Sequence, residues 1–170
     1  MSDILKAIGN TPIVKLKNIV PIGCGEIYVK LEAFNPTGSK KDRMALSMIL
    51  GAEKRGVLKK GMTVVEYSGG STGAGLAFVC SLKGYNFRLV TADVFGKEKI
   101  DLMRSLGANL EIIKSSEGKI NKELITKMIK KADQISREPN TFFTNQLNNT
   151  DVIEGFVPLG EEILDQLNGN

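Results

Sequence analysis

The chain has 170 residues, of which 42% are apolar and 25% charged, and this size and composition predict one α/β domain with a substantial core. Histidine is absent, which excludes Ser-His-Asp and Cys-His nucleophile systems and His-based zinc or iron sites. The net charge of +4 comes mostly from lysines scattered beside acidic residues without interleaved aromatic side chains, so we expect no nucleic-acid binding.

The first half of the chain predicts two short strands and then a helix, a strand and a second helix. In chain order, these elements are strands at 12–16 (PIVKL) and 26–32 (EIYVKLE), a helix at 43–56, a strand at 62–66 (MTVVE) and a helix at 72–84. Gly56 and Gly84 stand where each helix is expected to end. A loop rich in glycine and serine separates the third strand from the second helix.

The second half continues the alternation of strands and helices. It predicts a strand at 87–92, a helix at 96–107, a strand at 109–113, a lysine-rich helix around 119–132 and a strand near 141–145. The last stretch, 151–170, predicts a helix that breaks at Pro158 and ends at 168–170. The segment KSSEGK at 114–119 indicates a loop. Such alternation is typical of βαβ units in a twisted parallel sheet.

The chain lacks the features of a secreted or membrane-spanning protein. No apolar run approaches membrane-spanning length, and the opening MSDILKAIGN has no signal-peptide core. Cys24 and Cys80 stand far apart without a metal-binding spacing, which favours reduced thiols over a disulfide or a metal site. We therefore expect a soluble cytoplasmic protein without a bound metal.

Two adjacent lysines stand at the predicted start of the first helix. Ser39 and Asp42 form the S-x-x-D pattern of a capping box, which places Lys40 and Lys41 at the first two helical positions. The helix dipole favours anions there and disfavours an ammonium group. Two interpretations stay open: a partly buried lysine is kept neutral as a Schiff-base nucleophile, or both lysines extend into water at little cost.

The loop EYSGGSTGAG, residues 66–75, is a second candidate site. Its hydroxyl groups and the first N–H groups of the following helix could donate to an anion. It is not a Walker loop, because no lysine follows its last glycine, and it lacks the third glycine of a dinucleotide fingerprint. Either a phosphate or carboxylate site, or an ordinary strand-to-helix turn, explains this composition.

Five ordered blocks resemble the cysteine synthase (O-acetylserine sulfhydrylase) branch of the fold-type II pyridoxal-phosphate enzymes. They are IGNTPIVKL (8–16), KLEAFNPTGSKKDR (30–43), SGGSTGAGLAFVCSLKGY (68–85), LMRSLGAN (102–109) and FFTNQLNN (142–149). The similarity runs from residue 4 to the end of the chain. It implies an incomplete tryptophan synthase β-like fold, an α/β architecture in which helices flank a parallel sheet in three layers.

The resemblance also implies roles for particular residues. Lys41, the lysine directly before Asp-Arg, is implied to hold pyridoxal 5′-phosphate as a Schiff base and then to move the proton at the substrate α-carbon. The residues implied to bind the substrate carboxylate are Ser68, Gly69, Ser71, Thr72 and Gln146. Ser71 is also implied to contact the cofactor, but the family usually has asparagine there. A serine hydroxyl is shorter, so this contact is expected to be weaker or to pass through water.

The implied reaction is β-replacement, in which an O-activated serine and sulfide give cysteine. The chain is expected to be inactive alone, because family members are about twice as long and their other half carries the Gly/Thr-rich loop for the cofactor phosphate. Alternatives are cystathionine β-synthase or serine/threonine dehydratase-like chemistry. A non-catalytic module that binds an anion or a partner protein is an alternative from another class, and the failed fingerprint disfavours a Rossmann-type nucleotide binder.

The resemblance divides the chain into three parts. Residues 1–36 are expected to pack with a second domain, 37–150 to form the small domain with the lysine and substrate loop, and 151–170 to begin the second domain. We expect the chain to be the N-terminal half of such an enzyme, with Ile13, Leu16 and Val29 poorly covered. Its expected partners are an amino-acid substrate and either a second copy or a complementing C-terminal half.

Overall fold

A parallel four-stranded sheet forms the centre of the computed structural model, which describes residues 4–116 and 118–168. The strands are β3 (Thr63–Tyr67), β4 (Asn86–Ala92), β5 (Ala108–Ile113) and β6 (Thr141–Phe143), in the spatial order β5-β4-β3-β6. Val65 pairs with Arg88 on one side and with Phe143 on the other. The predicted parallel sheet is confirmed.

Helices cover both faces of this sheet. Helices α1 (Lys41–Lys54), α2 (Ser71–Lys83) and α3 (Lys97–Ser105) pack on one face, and α4 (Lys122–Ser136) packs on the other. Successive strand residues point to opposite faces, so Val64 packs with α1 and α2 whereas Val65 packs with α4. The three-layer α/β arrangement predicted from the sequence is confirmed.

The first two strands form a separate antiparallel hairpin. Strand β1 (Ile13–Lys15) pairs with β2 (Tyr28–Lys30), and Val14 lies opposite Val29. Ile13 and Leu16 are half-buried and Val29 is exposed. Both strands are shorter than predicted. The proposed boundaries after residues 36 and 150 stay predictions.

A cluster of charged side chains joins this hairpin to the rest of the molecule. The Arg43 guanidinium of α1 lies 2.8 Å from Glu32 and 2.7 Å from Glu162, and Lys30 of β2 lies 2.7 Å from Glu162. Glu162 belongs to α6 (Val157–Gln166). Its hydrogen bonds with Arg43 and Lys30 lower the pKa of the Glu162 carboxyl to about 2. The hairpin, α1 and α6 therefore meet at Glu162.

The predicted helix break at Pro158 is wrong. A short helix α5 (Asp151–Glu154) is followed by α6, and the break lies at residues 155–156. Pro158 stands in the first turn of α6, where no N–H is needed. A Cβ on Gly155 would lie 2.9 Å from the Arg43 carbonyl oxygen, so the chain passes close to α1 there. The predicted end at 168–170 falls partly on residues 169 and 170, outside the described residues.

Helix α4 begins later than the predicted position 119. Asn121 caps it, because its side-chain oxygen accepts a hydrogen bond of 2.8 Å from the Leu124 N–H. Lys119 and Ile120 precede this cap and are exposed. The helix also extends beyond 132 to Ser136, where Ile135 is buried against the sheet.

Both cysteines are free thiols, as the sequence predicts. Cys24 is exposed, and Cys80 is buried in α2, where burial raises the pKa of its thiol. Within residues 4–116 and 118–168, no helix is long and apolar enough to cross a membrane.

Candidate active site

Lys41 is the first residue of α1, and Lys40 is its N-cap. The predicted capping box is not formed. The Ser39 hydroxyl oxygen accepts from the Lys41 N–H at 3.2 Å, but the Asp42 carboxylate turns to Thr37, whose N–H donates to it at 2.7 Å and whose hydroxyl also donates. Asp42 therefore closes the loop before the helix rather than capping the helix itself.

The Lys41 amine lies in a partly buried environment that favours its neutral form. Its Nζ is 3.7 Å from the Met44 sulfur, and among the described residues it has no carboxylate partner. Burial, and then the neighbouring charge of Lys40, lowers the pKa of the Lys41 amine. The Phe156 ring centroid lies 6.0 Å from the Lys41 Nζ and 5.8 Å from the Lys40 Nζ. Of the two interpretations left open by the sequence, the half-buried position of Lys41 favours a lysine kept neutral, whereas the exposed Lys40 extends into water.

The loop before α2 presents free backbone donors. The Ser68 hydroxyl oxygen accepts from the N–H groups of Gly70 at 3.1 Å and Gly73 at 3.2 Å. Within the part of the chain that the structure describes, the N–H groups of Ser71 and Thr72 have no protein acceptor. These two donors stand at the positive end of a 13-residue helix, an arrangement that suits a carboxylate or phosphate.

Gln146, which follows the neighbouring strand β6, contacts this loop through its side chain. Its side-chain oxygen accepts from the Thr72 hydroxyl at 2.8 Å, and its side-chain nitrogen donates to the Tyr67 carbonyl at 2.9 Å. The Gln146 amide group is therefore held by partners on both the loop and β3. The structure brings Gln146 and the 68–73 loop together, as their predicted common role requires.

Close packing of α1 on α2 sets the lysine beside the loop. A Cβ on Gly75, the fifth residue of α2, would lie 3.1 Å from both the Lys41 carbonyl oxygen and the Asp42 carboxylate. A larger residue would push these groups apart, so glycine favours the close approach of the two helix starts. Lys41 and the 68–73 loop therefore belong to one region at the carboxyl ends of the strands. Their roles in binding stay predictions.

Three residues of this region were not predicted from the sequence. Phe95 packs against Gly69, where an added Cβ would lie 2.2 Å from the ring. A Cβ added at Gly70 would lie 3.3 Å from the Lys99 Cδ and 3.6 Å from its Nζ. Neither residue has a local sequence signal. Glu66, the third, is a fully buried carboxylate in β3. An acidic residue within the apolar strand MTVVE was the signal that could have identified it.

Among residues 4–116 and 118–168, no cluster of three or more Cys, Asp or Glu side chains suits a metal ion. The region presents an amine, hydroxyl groups, amides and one buried carboxylate. The hydroxyl and amide groups can bind an anionic substrate. The amine can attack a carbonyl carbon as a nucleophile or remove a proton from a carbon atom as a base.

Known proteins with the same features support the resemblance. The cysteine synthase of Staphylococcus aureus (strain Mu50) is 40% identical over 172 residues, covering 99% of this chain and 53% of that protein. The structure of a hydrogen sulfide-producing enzyme from Fusobacterium nucleatum is 36% identical, with a TM-score of 0.88. The match covers 99% of this chain and 53% of the Fusobacterium chain. O-acetyl serine sulfhydrylase isoform 3 from Entamoeba histolytica has a TM-score of 0.88 at 32% identity, over 99% and 50% of the two chains.

The chain spans about half the length of the relatives it matches. The family of pyridoxal-phosphate dependent enzymes matches residues 4–170, nearly the whole chain. The likeness to cysteine synthases inferred from the five sequence blocks is confirmed by these relatives. The chain belongs to the pyridoxal-phosphate dependent enzyme family.

Proposed function

We propose that this chain supplies the lysine and the substrate-carboxylate loop of a cysteine synthase-like β-replacement site. The carrying observation is that the half-buried Lys41 and the free N–H groups of Ser71 and Thr72 lie at two helix starts packed directly on each other. The substrate class is an O-activated L-serine, whose carboxylate suits these donors. The same proposal places the reaction in the cytoplasm.

The described residues fit part of a pyridoxal 5′-phosphate site. Lys41 would hold the cofactor covalently, since a lysine whose amine is favoured in its neutral form is a suitable nucleophile. Ser71, exposed at the first turn of α2, would contact its ring region. The 170-residue sequence contains no second Gly/Thr-rich loop for the phosphate, so we infer that a complementing C-terminal half supplies the groups that bind it.

Bound pyridoxal 5′-phosphate supplies an electron sink for the bonds of the substrate α-carbon. Thr72, Ser68 and Gln146 orient the substrate by its carboxylate. The Lys41 amine removes the proton from the α-carbon and later returns it. In the overall reaction a Cβ–O bond breaks and a Cβ–S bond to sulfide forms, with no net oxidation or reduction.

The test is retention of the cofactor by the purified chain and by two lysine variants. Each protein is incubated with pyridoxal 5′-phosphate, dialysed, and analysed by visible absorption and by mass spectrometry after borohydride reduction. The chain and Lys40→Ala should retain a label at residue 41, whereas Lys41→Ala should retain none. Assays with O-acetyl-L-serine and sulfide would follow.

Two results would contradict the proposal. A label that survives in Lys41→Ala but is lost in Lys40→Ala would show that Lys40, and not Lys41, holds the cofactor. A folded chain that retains no label in any variant would show that this chain does not hold the cofactor by itself, and would favour a non-catalytic module that binds an anion or a partner protein.

A further inference from the structure

A buried carboxylate lies directly behind the substrate-carboxylate loop. Glu66 is the fourth residue of β3, has no solvent-exposed surface, and stands two residues before Ser68. It accepts hydrogen bonds from the Thr144 hydroxyl at 2.7 Å, the Gln146 N–H at 2.9 Å and the Tyr67 N–H at 2.9 Å. Within residues 4–116 and 118–168, no cation pairs with it.

As placed in the structure, the three partners of Glu66 all donate to it, which favours the ionised form of the carboxyl group. An ionised carboxylate has only acceptor sites and satisfies all three donors. A protonated carboxyl would require the Thr144 hydroxyl to turn its hydrogen to the Val65 carbonyl, at 3.3 Å, so the arrangement would change. Burial of the charge without a cation costs free energy, so a carboxylate at this position calls for a reason beyond packing.

The hydrogen bonds continue from Glu66 to the loop through Gln146. Glu66 fixes the Gln146 backbone, and the Gln146 side chain then accepts from the Thr72 hydroxyl and donates to the Tyr67 carbonyl. Gln146 follows β6, the neighbour of β3 in the sheet, and Thr72 lies in α2, which follows β3 in the chain. Glu66 therefore connects two segments that are 74 residues apart at the Thr72–Gln146 hydrogen bond.

We propose that Glu66 is a positioning residue whose ionised carboxylate holds Gln146, and through Gln146 the hydroxyl of Thr72, in the arrangement that binds the substrate carboxylate. This inference rests on the proposed function for the identity of the ligand. The coupling between Glu66 and Gln146 is independent of that function, because it can be measured without a ligand.

The surroundings of Glu66 allow its titration to be followed. Burial raises the pKa of Glu66, and its hydrogen bonds with Thr144, Tyr67 and Gln146 oppose that rise. The titratable group that interacts with it is the Tyr67 phenol, whose pKa is raised by burial and then by the Glu66 charge. The face of β3 that Glu66 shares with Val64 is covered by α1 and α2, and β4 places Leu89 opposite Glu66 in the strand register.

The pH dependence has opposite signs for stability and for binding. Because the folded-state pKa of Glu66 is raised, ionisation disfavours the folded state at neutral pH, and acidification through that pKa removes the penalty. The positioning of Gln146 should instead be lost on acidification, since the protonated carboxyl no longer accepts from all three donors. If Glu66 had only a structural role, stability and the positioning of Gln146 would change with pH in the same direction.

The first experiment follows the wild-type chain, labelled with ¹⁵N and ¹³C, by NMR without ligand. The Gln146 side-chain amide signals should titrate together with the Glu66 carboxyl carbon. Thr144→Val removes one donor and should move both midpoints upward in pH. Gln146 signals that do not change with pH, or midpoints that do not move together, would overturn the inference.

The second experiment measures binding of O-acetyl-L-serine from the amide signals of Ser71 and Thr72. Glu66→Gln should weaken binding about tenfold at neutral pH, the loss expected for one mispaired hydrogen bond. Glu138→Gln, an exposed carboxylate that pairs with Arg88 at the opposite end of the sheet, is the matched control and should not change it. Equal affinity in Glu66→Gln and wild type would overturn the inference, whereas absence of binding to wild type would overturn the proposed function and leave the coupling result intact.

Discussion

At the scale of single residues, two neighbouring ammonium groups differ in their surroundings. Lys40 is exposed and Lys41 is half-buried, although both lie about equally far from the Phe156 ring. The positive charge of Lys40 is the second cause of the lowered pKa of Lys41, after burial. Lys40 should therefore make Lys41 more nucleophilic at neutral pH without reacting itself.

Replacing Lys40 with glutamine tests this effect. The pKa of Lys41 should rise, and its labelling by pyridoxal 5′-phosphate and borohydride should become about twofold slower at neutral pH, as expected for one exposed charge pair. The labelling rate is measured across a range of pH values by mass spectrometry. Lys54→Gln, at the far end of α1, is the control, and an identical pH profile in Lys40→Gln would contradict the prediction.

The residues of the candidate site differ in how well the sequence predicts them. Lys41 and the 68–73 loop stand in contiguous motifs whose local chemistry can be read directly. Glu66 and Phe95 act through partners distant in sequence, such as Gln146 and Gly69, so no local pattern indicates their contacts. The Asp42 capping prediction was wrong because Thr37, five residues earlier, offers two donors to the same carboxylate.

At the scale of elements, Glu162 of α6 is the acceptor that links α1 and the hairpin. Its side chain is 17% exposed and bonds both Arg43 and Lys30. Without this carboxylate, Arg43 keeps Glu32 as its partner, whereas Lys30 loses the acid that it pairs with. The attachment of α6 should therefore depend on this carboxylate more than on any exposed ion pair of the molecule.

Glu162→Gln should lower the free energy of unfolding by about 2 kcal/mol at neutral pH, a value discounted for partial exposure. Because the folded-state pKa of Glu162 is lowered from 4.5 to about 2, its stabilisation is present above pH 4.5 and lost as pH falls toward 2. Urea unfolding at several pH values measures this, with the exposed Glu161→Gln as control. A difference that persists unchanged at the lowest pH would contradict the assignment.

The sequence predicts whether a segment is a helix or a strand better than it predicts where that helix or strand ends. The alternation of apolar strands and helices predicts all four parallel strands, but the break before α6 depends on Gly155 packing against α1. The strand order β5-β4-β3-β6 likewise depends on which helices cover which face. Such features depend on contacts between distant segments, which periodicity does not encode.

At the scale of the whole molecule, apolar burial is unevenly distributed. Met48 and Leu89 have no exposed surface, whereas Ile19 is 77% exposed and Ile22 lies fully in solvent. The parallel sheet and its helices therefore contain the stable core. The hairpin and the loop between its strands contribute few buried apolar groups, so they should open locally at lower free energy.

Two alanine substitutions should show this difference. Leu89→Ala should lower the free energy of unfolding by about 3 kcal/mol, because it creates a cavity in the core. Ile22→Ala should change it by no more than about 0.5 kcal/mol, since the side chain buries nothing in this chain. Chemical unfolding measures both, and a large loss in Ile22→Ala would show that the segment has an apolar partner in solution.

The close approach at Gly75 has a dynamic consequence. Because the start of α2 rests directly on the Lys41 carbonyl oxygen, the amine and the donors of Ser71 and Thr72 share one rigid frame. The two helix starts should therefore move as one unit. We expect an opening that admits a substrate to come from side chains over the loop, such as Phe95, or from another body that moves against this frame.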